Sequence, residues 1–99
     1  LHIERAEYCL ALTHLSAGLF DDAWRHAGQC LAVCLHHQAP PMEHFYAHEA
    51  MARVHHARLE AAELTHHAEA MRGAFERMKA DDQSACREAL GAVQALRAA

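Results

Sequence analysis

Only four positions carry valine or isoleucine, Ile3, Val33, Val54 and Val93, so the chain lacks the β-branched apolar side chains that pack well on a pleated sheet. Alanine, the strongest helix former, is abundant instead. Glycine (4) and proline (2) are scarce in a composition that is 53% apolar. The expectation is an all-α chain with no sheet. Its 99 residues suit one domain, since long regular helices let so short a chain bury a core.

Breakers divide the chain at Gly18, at Ala39-Pro40-Pro41 and at Asp81-Asp82. A first helix is expected from His2 to Ala17, with Ile3, Ala6, Leu10 and Ala17 on one stripe and Gly18 as its stop. A second begins at Asp21 or Asp22, whose carboxylates suit the positive start of a helix, and carries the stripe Ala23, Ala27, Cys30 and Cys34, with Trp24, Leu31 and Leu35 beside it. Pro41 suits the first position of a third helix, which runs to Arg58 with Phe45, Met51, Ala52 and Val54 inward. No glycine or proline lies near Leu59 to Ala61, so one long helix from Pro41 to Lys79 competes with two shorter ones. In the two-helix reading a fourth helix covers Ala61 to Lys79 and buries Leu64, Ala68, Met71 and Phe75. A fifth starts at Asp81 or Asp82 and carries Cys86, Leu90, Val93 and Leu96.

Self-comparison at a shift of 41 residues favours the two-helix reading. It aligns Ala6 with Ala47, Ala11 with Ala52, His14 with His55, His26 with His67, Ala27 with Ala68 and Ala39 with Ala80, and it sets Pro40-Pro41 on Asp81-Asp82. Small residues and breakers that recur together are what stacked helix pairs require, because close packing and turns must return at fixed intervals.

The run Ala11, His14, Gly18, Phe20, Ala23, Ala27, Cys30 resembles the helix–turn–helix core of tetratricopeptide repeats (TPR). The second copy, Ala52, His55, Leu59, Ala61, Leu64, Ala68, Met71, keeps the small residue and the later alanine but has Leu59 for the turn glycine and Ala61 for the aromatic. The resemblance implies a short right-handed TPR-like α-solenoid of two repeats, residues 2–38 and 41–79, closed by a capping helix at 82–97. In that family the first helices of successive repeats line a groove for a peptide. Position by position, this points to Arg5, Tyr8, Leu12 and Ser16 in the first copy and to Tyr46, Glu49, Arg53 and His56 in the second. Tyr8, Leu12 and Tyr46 also lie beside the alanine stripes, where a binding strip would sit. Packing inside the fold or against a second copy of the chain is the other reading of these positions.

The net charge of −4 counts eleven histidines as neutral, and protonating all eleven would add eleven charges and carry it to +7. At neutral pH an acidic chain whose basic residues are scattered singly argues against nucleic-acid binding. The four cysteines, Cys9, Cys30, Cys34 and Cys86, fall inside helical patterns without CxxC spacing, which implies reduced thiols and a cytoplasmic protein. No apolar run reaches the ~18 residues of a membrane span, and the N-terminus does not resemble a signal peptide. The chain opens on Leu1, which leaves room for an upstream segment carrying a signal or further repeats.

Histidine and cysteine carry the competing chemistry. His26, Cys30 and Cys34 share a helix face, as do His44 and His48, but a structural zinc site normally draws four ligands, usually with a CxxC loop or an HExxH helix, and neither spacing occurs. In each of the pairs His36-His37, His55-His56 and His66-His67, one ring should lie at the core edge and one in solvent. Phosphate loops, nucleophile elbows and haem motifs are absent from the sequence, so no catalytic residue, no metal and no cofactor is expected. The leading expectation is a non-enzymatic protein- or peptide-binding scaffold, with a homodimer covering the outward face of the first helix. The alternative is a metal- or pH-responsive helical bundle using the histidines and cysteines.

Overall fold

A computed structural model describes residues 3–98, and it contains α-helices and no strand among them. The helices are α1 (Ile3–Ser16), α2 (Phe20–His36), α3 (Pro41–Ala57), α4 (Ala61–Glu76) and α5 (Ala80–Ala98). His2, expected to open α1, lies outside the described residues. Pro41 occupies the first turn of α3, where a missing backbone N–H costs nothing. Helix α2 starts at Phe20 rather than at an aspartate, and no side-chain cap forms there; Asp21 and Asp22 lie in its first turn. Helix α5 likewise starts at Ala80 with Asp81 and Asp82 in its first turn. Charge at the positive helix end accounts for these acids better than capping does. Helix α4 stops at Glu76, short of Lys79.

The long-helix alternative fails at Leu59. Arg58 to Glu60 break the chain between α3 and α4, and Leu59 adopts φ +61°, in the left-handed region. Gly18, 41 residues earlier, has φ +77°. The two turns share their hydrogen bonds: Gly18 N–H to Leu15 and Leu19 N–H to His14 in the first, Leu59 N–H to His56 and Glu60 N–H to His55 in the second, all between 2.9 and 3.0 Å. This is the αL helix termination that glycine favours. Leucine adopts it at a cost of about 1–2 kcal/mol, and its side chain is 90% exposed, so nothing packs in compensation. Leu59→Gly should therefore raise stability by about 0.5–1 kcal/mol once glycine's extra unfolded-state entropy is subtracted. Urea unfolding would read this, and a loss of stability would contradict it.

Helix α3 touches each of the other four helices, α1 packs on α2, α4 packs on α5, and α2 and α4 do not meet. The molecule measures 34 × 33 × 19 Å, and the short dimension is two helix diameters. One layer holds α1, α3 and α5; the other holds α2 and α4. Small residues let the helices approach: Ala11 of α1, Ala23 and Ala27 of α2 and Ala50 of α3 are fully buried around Met51 and Val54. A second cluster joins Phe45 and Ala52 of α3 to Leu64, Ala68 and Met71 of α4 and to Cys86, Leu90 and Val93 of α5. Phe75 and Leu96, expected inward, are half-buried and pack against it.

One expected stripe is not in the core. Ile3 is 45% and Leu10 40% exposed, and Ala6 and Ala17 are exposed too. Residues 41 positions later explain this. Ala47 packs with Cys30 and Cys34 of α2, Met51 packs with Ala23 and Ala27, and the Arg58 guanidinium lies 5.8 Å from the centre of the Trp24 ring. The stripe on α3 thus docks on the helix before it. The matching stripe on α1 has no such docking partner among the described residues and faces outward.

Candidate functional site

Running parallel in one layer, α1 and α3 leave a cleft of about 330 Å³ between them. Its walls are Glu4, Arg5, Tyr8 and Cys9 from α1 and Met42, Glu43 and Tyr46 from α3, with Cys30 of α2 behind. Tyr8 and Tyr46 meet edge to face with ring centroids 5.5 Å apart, a favoured geometry that sets one ring on each wall. At the rim Arg5 donates from Nε and Nη2 to Glu43 Oε1 at 3.0 and 2.7 Å.

Beneath the aromatic pair the polar groups satisfy one another. Tyr8 Oη donates to Glu49 Oε1 at 2.7 Å, and Arg53 Nε donates to Glu49 Oε2 at 2.8 Å. Glu49 is 4% exposed, and a carboxylate so placed is tolerable only because a cation and a hydroxyl serve its two oxygens. Burial and the neighbouring Glu49 carboxylate raise the Tyr8 pKa far above the usual phenol range. Burial also pushes Tyr46 up to about 12, helped by Cys86, whose thiol lies 3.7 Å from the Tyr46 hydroxyl. Both rings are neutral at physiological pH and offer an apolar surface; the Tyr8 hydroxyl donates to Glu49, and the Tyr46 hydroxyl accepts from the Cys86 thiol.

Burial favours the protonated form of the thiols behind the cleft. Burial raises Cys30 to about 12 and Cys34 to about 11, and Cys30 donates to the Glu4 carbonyl at 3.1 Å. Thiols in this range have little nucleophilic thiolate. All four cysteines are free, and Cys9 is exposed. Among the described residues no group of three or more histidine, cysteine or acidic side chains is arranged to hold a metal ion. His26, on the face of Cys30 and Cys34, instead hydrogen-bonds Glu7 of α1 at 2.7 Å through Nδ1.

Of the eight groove candidates, Arg5, Tyr8, Tyr46, Glu49 and Arg53 come together in this arrangement. Leu12 is half-buried and Ser16 exposed, and neither is among the cleft-lining residues. His56 lines a separate concavity with Leu59, Glu60, Leu64, Leu96 and Arg97. Reasoning from positions missed Glu4, Cys9, Cys30, Met42 and Glu43. Met42 and Glu43 lie three to four residues before Tyr46, so the periodicity of α3 carried the signal.

Of the paired histidines, His55 is buried with His56 half-buried, and His67 is buried with His66 exposed, whereas His36 and His37 are both exposed. The last pair sits at the C-terminal end of α2, where both rings face solvent. No helix among the described residues is long and apolar enough to cross a membrane. Comparison of the chain with family models, with curated proteins and with solved structures returned no match.

Proposed function

We propose that this chain is a non-enzymatic binding module that takes a short apolar segment of a protein or peptide partner in the α1/α3 cleft. The reading rests on one observation: two neutral tyrosines and Met42 line an open concavity rimmed by the Arg5–Glu43 ion pair. An apolar floor with charges only at the margin suits a side-chain anchor whose flanking backbone is read by the rim. The tetratricopeptide-like motif at Ala11 to Cys30 supports the same reading, since the helices that would line a groove in that family are the two that form this cleft.

Arg5→Glu is the sharpest test, because the Arg5 side chain is 61% exposed and its replacement leaves the core untouched. Screened against a displayed library of random peptides, the native chain should select sequences sharing an apolar anchor. Arg5→Glu should lower affinity for them at least tenfold with the melting temperature little changed, whereas Met42→Glu should lower affinity as much together with a fall in melting temperature, because Met42 also packs on the α3/α4/α5 core. Absence of any selected consensus, or equal binding by both variants, would overturn the assignment. We extend the proposal to self-association: the outward stripe of Ile3, Ala6 and Leu10 suits a homodimer contact. A monodisperse monomer in light scattering would remove that extension.

A further inference from the structure

The α3/α4 seam holds a histidine stack that the cleft does not use. His48 Nδ1 and His67 Nδ1 lie 2.9 Å apart, their rings tilted with centroids 5.2 Å apart. His55 also stacks with His67, with centroids 5.4 Å apart and planes 6° from parallel. His55 Nδ1 is in turn 2.8 Å from Glu60 Oε1, and since an ionised carboxylate only accepts, that nitrogen carries the proton. His67 is 8% exposed.

Two ring nitrogens at hydrogen-bond distance have only a few workable states. With both rings neutral, one Nδ1–H donates to the lone pair of the other. With one proton added, the same N–H···N bond persists and carries a charge. With two added, both nitrogens bear hydrogens that point at each other across 2.9 Å, and the contact must break. Burial disfavours charge before that point, and the basic groups facing the pair add to it: His44 and His55 on α3, His66 on α4 and Arg77 just beyond it. Glu60 serves His55 and not the pair.

We propose that His48 and His67 form a proton-sensitive latch, which holds α4 on α3 while it is neutral and opens that seam on proton uptake in mild acid. Burial, reinforced by the facing histidines, lowers both rings to about 4. An unfolded histidine titrates near 6.5. Between these limits the unfolded chain binds more protons, so the latch contribution is complete above about pH 6.5 and drains away as pH falls towards 4. Each depressed ring costs about tenfold in the folding equilibrium per pH unit across that window, and two cost up to about a hundredfold. Helix α5 rests on both α3 and α4, so opening the seam unseats it as well and leaves the α1/α2 pair behind.

Histidine ring resonances of the full chain, followed by NMR from pH 8 to 3.5, test this directly. Two of the eleven histidines, identified by their loss in His48→Asn and His67→Asn, should titrate below pH 5, and α4 amides should lose exchange protection at pH 5 before those of α2. His48→Asn/His67→Asn keeps hydrogen-bonding capacity without titrating, and its stability should fall at least tenfold less than that of the native chain between pH 6.5 and 4.5. Midpoints near 6.5 for both rings, or α4 protection that outlasts α2, would overturn the latch. Should the double variant not fold, the titration and exchange of the native chain still decide it.

Discussion

Phe45→Ala should cost about 3–5 kcal/mol, the usual price of deleting a fully buried phenylalanine without collapse of the site. Phe45 is wholly buried at the point where α3, α4 and α5 meet, against Ala52, Leu64, Met71, Cys86 and Val93. Its ring also lies edge-on to Tyr46 at 5.3 Å and 6.4 Å from Phe75, so aromatic contacts are lost together with apolar burial. Around it the helices approach through alanines, which have no side chain to swing into the void. At about 4–8 °C per kcal/mol for a domain of this size, the melting temperature should fall by at least 12 °C. Calorimetry measures this, and a fall under 5 °C would show that the three helices can close over the space. Phe45→Leu, which keeps most of the volume, should cost less than half as much.

Glu49→Ala should cost about 2–4 kcal/mol for a different reason. The carboxylate is the common acceptor for Tyr8 of α1 and Arg53 of α3, and removing it leaves a half-buried hydroxyl and a partly buried guanidinium without that partner. Tyr8→Phe removes only the donor and should cost about 1 kcal/mol. In a double-mutant cycle the two changes should couple by about 1 kcal/mol, because the second has less to break once the first is made. Denaturant unfolding of the four proteins gives the coupling. Strict additivity would mean that the Tyr8–Glu49 contact, 2.7 Å in the structure, carries no net energy. The same variant loosens the α1–α3 register, so apolar peptide binding should weaken with stability, unlike in Arg5→Glu.

How far the cleft and the core were legible in the sequence depended on distance along the chain. The stripe Ala23, Ala27, Cys30 and Cys34 was readable and is buried throughout, because a helix projects its periodicity onto one face whatever it packs against. The turn at Leu59 was readable only through its 41-residue partner Gly18, since leucine gives no local stop signal. The family resemblance pointed to Arg5, Tyr8 and Tyr46, which line the cleft, to Glu49 and Arg53, which join them through the Tyr8 hydroxyl, and to Leu12, Ser16 and His56, which do not line it. Crossing angles between α1 and α3 set which residues face each other, and those angles come from the packed helices. The shift pairs Arg5 with Tyr46, whereas the packed helices pair Arg5 with Glu43.

By itself the sequence determined the local matters: five helices, their breaks to within a few residues, and which faces of α2 to α5 turn inward. Those outcomes follow from backbone propensity and helical period, which act over a few residues. Tertiary structure alone decided three others. The apolar stripe of α1 is exposed although its period matches that of the buried stripe on α3. Glu49 is buried because Tyr8 arrives from another helix to share it. His48 and His67, nineteen residues apart, became one hydrogen-bonded pair because α3 and α4 close as a hairpin. Each depends on contacts between helices distant in the chain, and no spacing within one helix records them.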